Sequence, residues 1–254
     1  MKKITVFLIC ILIIIAGITI GCKSKKSATT PEEVPTATFT QQPTSTPTDT
    51  PTSVVSPIVI DTFEQDTADQ APGPNNLGGA WTASADSYGS SITMTVKTGT
   101  GGNGNNALEI KATVNDNNGV GTWPWTSCAT DLSPTAGFID LNQYISQGYT
   151  GIRLYTKGQY GTNPTGIWFI VQLVGNTSDS SKFRYVWTPT ADWTTLSIPF
   201  TSFTAPPWGE AMTMTLQEYL TNVRSIEFSI SAGTQSTGNN SVDNLWYIDD
   251  LEMY

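Results

Sequence analysis

Short runs with the character of β-strands, separated by Gly, Asn, Ser and Thr, recur along the chain and constrain its fold most strongly. Each run is rich in β-branched and aromatic residues and alternates apolar with polar positions, as strands with one buried face do. Their number and spacing predict an all-β domain, an antiparallel β-sandwich of two packed sheets. One short helix is predicted in TLQEYLTNV, which opens at Thr215. The runs are SSITMTVKT, ALEIKATV, TGIRLYTKG, GIWFIVQLVG, KFRYVWTP, WTTLSIPF, RSIEFSIS and LWYIDDLEMY.

The composition removes several kinds of catalytic site. The 254 residues include 22 glycines and 8 tryptophans, and 13% are charged, which fits a glycine-rich β-protein. There is no histidine. The chain therefore has no imidazole base, no Ser-His or Cys-His nucleophile and no histidine-ligated zinc or copper. Any catalysis would have to use carboxylates, tyrosine or lysine.

The N-terminus is organised as an export signal. Two lysines precede an apolar run from Ile4 to Ile20, and a glycine and Cys22 follow it directly. This order resembles a bacterial lipobox, with Thr19 in place of the usual branched aliphatic residue. It predicts a lipoprotein signal peptide, 1–22, ending at a lipidated Cys22. The alternative is an uncleaved membrane anchor, because the run approaches spanning length. Both attach the rest of the chain to the cell membrane or outer membrane, facing outside the cytoplasm.

Residues 23–57 are dominated by Thr, Pro and Ser. Such a segment cannot bury enough apolar surface to fold, and its prolines favour extended conformers, so we expect a disordered, semi-stiff linker. Beyond it only one cysteine remains, Cys128, because Cys10 lies in the signal and Cys22 is the predicted lipid site. An internal disulfide is therefore excluded, and an ordinary core must stabilise the fold.

The remaining residues, 58–254, are predicted to form one domain. They contain 7 basic and 18 acidic side chains, a net charge of −11. Nucleic acid and anionic lipid are therefore excluded as expected partners, and a membrane contact is expected through the N-terminal lipid alone. A neutral or cationic ligand is favoured, and we expect a monomer.

Period-two alternation assigns each strand a core face and an outer face. If the central strands share one sheet, its outer face collects planar hydrogen-bonding groups and aromatic rings. Such a face suits sugars, whose hydroxyl groups and C–H faces need both. The residues are Arg153, Tyr155, Gln172, Arg184 and Glu227.

Four motifs follow one another along residues 58–254: IVIDTFEQD, GYTGIRLYTKG, ADWTTLSIPFTSFTAPPWG and LWYIDDLEMY. Together they resemble the galactose-binding-like jelly rolls of carbohydrate-binding modules, especially family 11 and its relatives. The stretch 119–147 departs from that pattern. The resemblance implies a jelly roll that binds β-glucans or other plant polysaccharides non-covalently in a cleft on the concave sheet. It also implies a structural calcium ion.

Three tryptophans are candidate ligand-binding residues. Trp123 and Trp125 lie on the same side of an extended segment stiffened by Pro124, where they can line a glycan or cap the core. Trp208 lies in a proline-rich loop, where an exposed indole needs a partner. The resemblance assigns Trp208 to the cleft edge and Trp193 to packing in the core.

Three further residues complete the candidate binding set. Arg184, Tyr155 and Gln172 could hydrogen-bond sugar hydroxyls from the shared outer face. The alternative for the arginine is an ion pair with a surface acid.

Catalysis and protein binding are the alternatives to polysaccharide binding. Glu109 and Glu227 are the glutamates in the interiors of predicted strands, and a retaining glycosidase needs two carboxyl groups about 5 Å apart. No closely spaced glutamate motif accompanies them. The leading hypothesis is therefore a non-catalytic, polysaccharide-binding module displayed at the cell surface. A glycoside hydrolase using that pair and an adhesion module that holds a partner protein are the alternatives.

The ends of the domain carry a candidate calcium site. Sandwiches often bring their terminal strands side by side, and Asp61, Glu64 and Asp250 could then supply oxygen ligands. Because alternation points adjacent residues to opposite faces, at most one of Asp249 and Asp250 is expected to bind the ion through its side chain unless a bulge intervenes. The family resemblance favours Asp250 and implies that Asp249 lies at the surface. The alternative is a pair of solvated acids at a fraying end.

Overall fold

The computed structural model describes residues 55–102, 104–115, 123–175, 182–206, 212–232 and 240–254. They belong to one compact unit, Pro51–Tyr254. The predicted signal peptide, Cys22, most of the predicted linker and Trp208 lie outside the described residues. Within the described ranges, no helix is long and apolar enough to cross a membrane.

Eleven strands form most of the described fold, and eight of them match the runs predicted from alternation; the other three, at 58–61, 81–85 and 125–131, were not among those runs. Two short helices, α1 and α2, lie between them at Leu141–Ser146 and Leu216–Tyr219. The strands are β1 (Ile58–Asp61), β2 (Trp81–Ala85), β3 (Ser91–Thr98), β4 (Asn106–Asn115), β5 (Trp125–Asp131), β6 (Gly151–Gln159), β7 (Ile167–Gly175), β8 (Phe183–Trp187), β9 (Thr194–Pro199), β10 (Val223–Ala232) and β11 (Asn240–Met253).

The strands form two sheets with antiparallel pairing throughout. The first sheet has the order β3-β4-β11-β6-β9, with β1 also paired to β11. The second has the order β2-β5-β10-β7-β8. Strands adjacent in a sheet are mostly distant in sequence, as in a jelly roll. The predicted all-β, antiparallel sandwich of the jelly-roll type is confirmed.

The core between the sheets is aromatic at its centre. Trp246 of the first sheet lies 5.3 Å from Phe169 and 5.4 Å from Phe228 of the second, measured between ring centroids. All three side chains are buried, and burial of this much aromatic surface stabilises the sandwich without a disulfide. Cys128 is a buried free thiol, and burial raises its pKa well above the usual range.

The helix predicted at Thr215 is confirmed. The Thr215 hydroxyl accepts a hydrogen bond from the backbone N–H of Glu218, whose carboxylate accepts one from the Thr215 N–H at 2.7 Å. This reciprocal arrangement is a capping box and explains why α2 begins there. The helix buries Tyr219, whose hydroxyl donates to the carbonyl of Leu173 in β7 at 2.7 Å.

The prediction that five residues share one outer face is confirmed for three of them and wrong for the other two. Strands β7, β8 and β10 belong to the second sheet, so Gln172, Arg184 and Glu227 do lie together. Strand β6 belongs to the first sheet, which places Arg153 and Tyr155 on the opposite side of the sandwich. Alternation identifies the outer face of each strand but not the sheet to which the strand belongs.

Candidate functional site

The outer face of the second sheet carries a row of polar side chains across its three adjacent strands. Glu227 of β10 is directly opposite Gln172 of β7, which is directly opposite Arg184 of β8. Their neighbours Phe228, Leu173 and Phe183 are buried in the core. The row therefore points away from the core.

A cavity of about 510 Å³ lies over this face. It combines aromatic rings, hydroxyl groups and a carboxylate–ammonium pair. Its lining residues are Tyr88, Trp123, Trp125, Ile170, Gln172, Lys182, Glu227, Ser229, Ser231 and Ala232.

Two tryptophans form the aromatic wall of the cavity. Trp123 and Trp125 are 44% and 37% exposed, values that are high for large apolar side chains. Both line the cavity, as predicted for residues on one side of an extended segment. Trp125 begins β5 and is opposite Ser231 of β10. Exposed indoles beside hydrogen-bonding groups make a surface on which a sugar ring can stack.

Asp86 fixes the position of this wall. Its Oδ2 accepts hydrogen bonds from the backbone N–H of Trp125 at 2.7 Å and from the Ser90 hydroxyl at 2.8 Å. Its Oδ1 accepts one from the backbone N–H of Tyr88, also at 2.8 Å. One carboxylate thus ties the loop that carries Tyr88 to the strand that carries Trp125.

Glu227, Lys182 and Gln172 form a polar cluster at the base of the cavity. The Lys182 Nζ donates to Glu227 Oε2 at 2.6 Å, and the Gln172 Nε2 donates to Glu227 Oε1 at 3.2 Å. The lysine and glutamate side chains are 26% and 11% exposed. A carboxylate held at both oxygens keeps a fixed orientation, which selects among hydroxyl geometries.

Arg184 lies in the same row as Gln172 but does not line the cavity. Its guanidinium lies 5.1 Å from the centroid of the Trp168 ring, and burial lowers its pKa. Arg184 therefore lies beside the cavity, with its guanidinium over the Trp168 indole; its predicted role in sugar binding and the alternative ion pair with a surface acid stay predictions.

Tyr155 is part of a packed aromatic cluster on the opposite sheet. Its ring stacks on Trp193 with a centroid separation of 5.2 Å and an angle of 9°. A β-carbon on Gly102 would lie 1.6 Å from the Tyr155 ring, so the ring also packs closely against the backbone at Gly102. Tyr155 is thus not brought to the cavity. Trp193 packs, as predicted, but on the outer face of the first sheet rather than in the core.

The glutamate pair proposed for catalysis is separated by the whole sandwich. Glu109 accepts a hydrogen bond from the Tyr247 hydroxyl on the outer face of the first sheet. Glu227 is on the outer face of the second. Sheets pack about 10 Å apart, and these side chains point away from each other. The two carboxylates cannot act on one glycosidic bond, so the catalytic alternative built on them is wrong.

The three predicted calcium ligands are not brought together as a metal site. Asp61 is buried, which raises its pKa, and accepts hydrogen bonds from Phe63, Gln65 and Trp81 at 2.8–3.1 Å. Glu64 Oε1 accepts two backbone N–H groups at 2.9 Å. Within the described ranges no group of three or more acids or cysteines is close enough to hold a metal. Asp61, Glu64 and Asp250 therefore do not form a calcium site as the structure places them. Calcium binding by this chain stays a prediction.

The acids near the C-terminus show the bulge that alternation could not locate. Pairing of β11 with β6 shifts register between Asp249 and Glu252, and Asp250 has a φ of 46°. Asp249 is 1% exposed and accepts hydrogen bonds from the backbone N–H groups of Gly102 and Asp250 at 2.8 Å. The expectation that Asp249 lies at the surface is wrong, because the bulge and the loop of Gly102 cover it.

Some site residues escaped the sequence analysis. Lys182 precedes β8 by one residue and Arg184 by two. Period-two alternation would therefore have predicted that Lys182 lies on the same outer face as Arg184. Tyr88 and Asp86 lie in the loop between β2 and β3, where no periodicity indicates direction. Trp208 cannot be placed against the cavity, because it lies outside the described residues.

A second cavity, of about 620 Å³, differs in chemistry. It lies between α1, α2 and the end of β9, and its lining includes Tyr149, Phe200 and Leu216 but no charged side chain. This apolar cavity lacks fixed charged groups that orient a polar ligand. The cavity lined by Trp123 and Trp125 is therefore the stronger candidate for a binding site.

Comparison with known proteins finds no matching protein-family model and no matching curated protein. Solved structures with a similar fold include the family 11 carbohydrate-binding module from Clostridium thermocellum in complex with a β-1,3-1,4-mixed-linked tetrasaccharide. The identity is 17%, with 79% of this chain and 96% of that chain covered and a TM-score of 0.47.

Another similar structure is CBM27-1 of Caldicellulosiruptor saccharolyticus in complex with mannohexaose, at 18% identity, 79% and 97% coverage and a TM-score of 0.41. A third is a protein from Bacteroides thetaiotaomicron whose glycoside hydrolase activity is inferred, at 13% identity, 78% and 71% coverage and a TM-score of 0.38. TM-scores and identities this low establish neither a family nor a ligand for this chain.

Proposed function

We propose that the cavity over the second sheet binds a neutral polysaccharide without cleaving it. The observation that carries the proposal is the pair of exposed indoles, Trp123 and Trp125, beside the fixed cluster of Glu227, Lys182 and Gln172 in one cavity. Rings supply contact area, and the cluster supplies oriented hydrogen bonds.

The magnitudes support a binding site. A pyranose laid on an indole removes about 60–80 Å² from water, or roughly 2 kcal/mol per sugar before ordering costs. Two such contacts with a few hydrogen bonds correspond to micromolar to millimolar affinity, which suits capture of a long polymer.

Two features argue against cleavage at this site. The described lining contains a single carboxylate, Glu227, whereas glycoside hydrolysis uses two. That carboxylate already accepts hydrogen bonds at both oxygens, from Lys182 and Gln172, so a glycosidic oxygen would have to compete with these partners.

The test is affinity electrophoresis of the full-length chain, solubilised in a nonionic detergent, in gels containing β-glucan, xyloglucan, xylan or mannan. We expect retarded migration in at least one gel, with β-glucan the first choice, and no release of reducing sugar. Unchanged migration in every gel would overturn the proposal and favour the protein-binding alternative.

Display at the cell surface is a separate proposal, supported by the signal-like N-terminus and the Thr/Pro-rich linker. Mass spectrometry of the membrane fraction should find a diacylglyceryl or triacyl group on Cys22. An unmodified Cys22 preceded by an intact N-terminus would contradict lipidation and favour the uncleaved membrane anchor, whereas absence of the chain from the membrane fraction would contradict display at the cell surface.

Calcium binding is a separate proposal, supported by the family resemblance of the sequence and not by the placement of Asp61, Glu64 and Asp250 in the structure. A rise in melting temperature on adding calcium, reversed by chelator, would support it, and no change would contradict it.

A further inference from the structure

The geometry points to Glu227 as the residue that makes the cavity reject acidic polysaccharides, by neutralising Lys182. This inference rests on the proposed function and concerns the charge of the polysaccharide that the same site accepts.

The only two charged side chains among the described lining residues form one ion pair. Lys182 Nζ lies 2.6 Å from Glu227 Oε2, while the second carboxylate oxygen accepts a hydrogen bond from Gln172. The pair therefore presents little net charge to a bound sugar, although each group still offers hydrogen-bonding capacity.

The surrounding field adds to this discrimination. Residues 58–254 carry a net charge of −11, so a polymer of uronates approaches a repulsive surface. At the cavity itself the attraction of Lys182 for a sugar carboxylate is cancelled by Glu227 at nearly the same distance. A neutral chain meets neither penalty.

Removing the charge of Glu227 should reverse this behaviour locally. In Glu227→Gln the side chain keeps its size and an oxygen that can still accept a hydrogen bond, but Lys182 becomes an uncompensated cation at the base of the cavity. A carboxylated sugar then gains a charge partner that the wild type denies it.

The chain contains a matched control on its opposite face. Glu109→Gln changes the net charge by the same amount, but Glu109 lies on the outer face of the first sheet, hydrogen-bonded to Tyr247. Any effect of global charge alone appears equally in both variants. An effect of the cavity appears in Glu227→Gln alone.

The probes are the neutral polysaccharide that retards the wild type most and the same polymer after partial carboxymethylation. Dissociation constants come from affinity gels of the full-length chain in nonionic detergent. We expect the wild type and Glu109→Gln to favour the neutral polymer by about tenfold, and Glu227→Gln to lose that preference. At about 0.5 M salt the gain of Glu227→Gln on the acidic polymer should disappear.

A second variant keeps the test decisive if Glu227→Gln folds poorly. Lys182→Met removes the cation and leaves Glu227 charged, so its preference for the neutral polymer should rise above that of the wild type. Equal preference in the wild type, Glu109→Gln, Glu227→Gln and Lys182→Met would overturn the inference while leaving the proposed function intact. A wild type that no neutral gel retards would overturn the proposed function and the inference with it.

Discussion

The two outer faces of the sandwich carry similar residues and use them differently. Each carries aromatic rings, a lysine and a glutamate. On the second sheet the rings of Trp123 and Trp125 line a cavity, and Lys182 pairs with Glu227. On the first sheet Trp193 stacks on Tyr155, and the Lys157 ammonium lies 5.1 Å from Trp193.

The difference shows that composition alone does not make a binding face. On the first sheet the aromatic surfaces are covered by each other, by Lys157 and by the backbone of Gly102. On the second sheet the tryptophans line a recess that small serines and Ile170 also line. A ligand can gain contact area only where the protein has not already used it.

The largest effect is expected from removing the aromatic wall. The double variant Trp123→Ala/Trp125→Ala loses two stacking surfaces of roughly 2 kcal/mol each, so affinity should fall on the order of a hundredfold or more. Affinity electrophoresis in the best-binding polysaccharide measures this. Because Trp123 and Trp125 are 44% and 37% exposed and lie outside the core, the melting temperature should change less than for a core tryptophan. Unchanged affinity of the double variant would show that the polysaccharide binds elsewhere on the molecule.

The corresponding change on the first sheet should have the reverse outcome. Trp193→Ala removes the stack with Tyr155 and the contact with Lys157, which should cost about 2 kcal/mol of unfolding free energy. Urea denaturation gives that value, and the affinity gel should show wild-type retardation. Weaker polysaccharide binding by a folded Trp193→Ala variant would contradict the claim that only the second sheet binds the glycan.

Much of this contrast could be predicted from the sequence, and the rest depends on pairing between distant strands. Alternation correctly placed Gln172, Arg184 and Glu227 on one outer face, and Pro124 correctly indicated a shared side for its flanking tryptophans. Alternation misplaced Tyr155, because non-local pairing with β11 and β9 decides the sheet to which β6 belongs. The bulge at Asp250 and the direction of the Tyr88 loop leave no periodic signal.

A smaller effect is expected from Asp86, which positions the wall without lining the cavity. Asp86→Ala removes acceptors for Tyr88, Ser90 and Trp125, so the wall loosens and affinity should fall by about threefold to tenfold. Asp86→Asn keeps one acceptor oxygen, so its affinity for the polysaccharide should fall less than that of Asp86→Ala. Equal affinity for Asp86→Ala and the wild type, measured by the same gels, would contradict this positioning role.

The smallest effect concerns pH and the first sheet alone. Burial and the hydrogen bond to Glu109 raise the pKa of Tyr247 to about 12. The folded state therefore holds this proton more tightly than the unfolded state, whose tyrosine pKa is about 10. The contribution of the hydroxyl is complete below pH ~10 and is lost as pH rises towards ~12.

Unfolding free energies of the wild type and Tyr247→Phe test this sign. The advantage of the wild type should shrink between pH ~10 and ~12. An advantage that grows over this range would show that Tyr247 is not protected as the structure indicates.

The central claim, that the second sheet binds the glycan and the first sheet does not, is tested most directly by NMR of the tryptophan indole N–H groups. The 8 tryptophans give separate side-chain resonances that single substitutions assign. On titration of the full-length chain with an oligosaccharide of the best-binding polymer, the indole signals of Trp123 and Trp125 should shift with a common dissociation constant, while that of Trp193 stays in place. A shift of Trp193 with Trp123 and Trp125 unchanged would contradict the account.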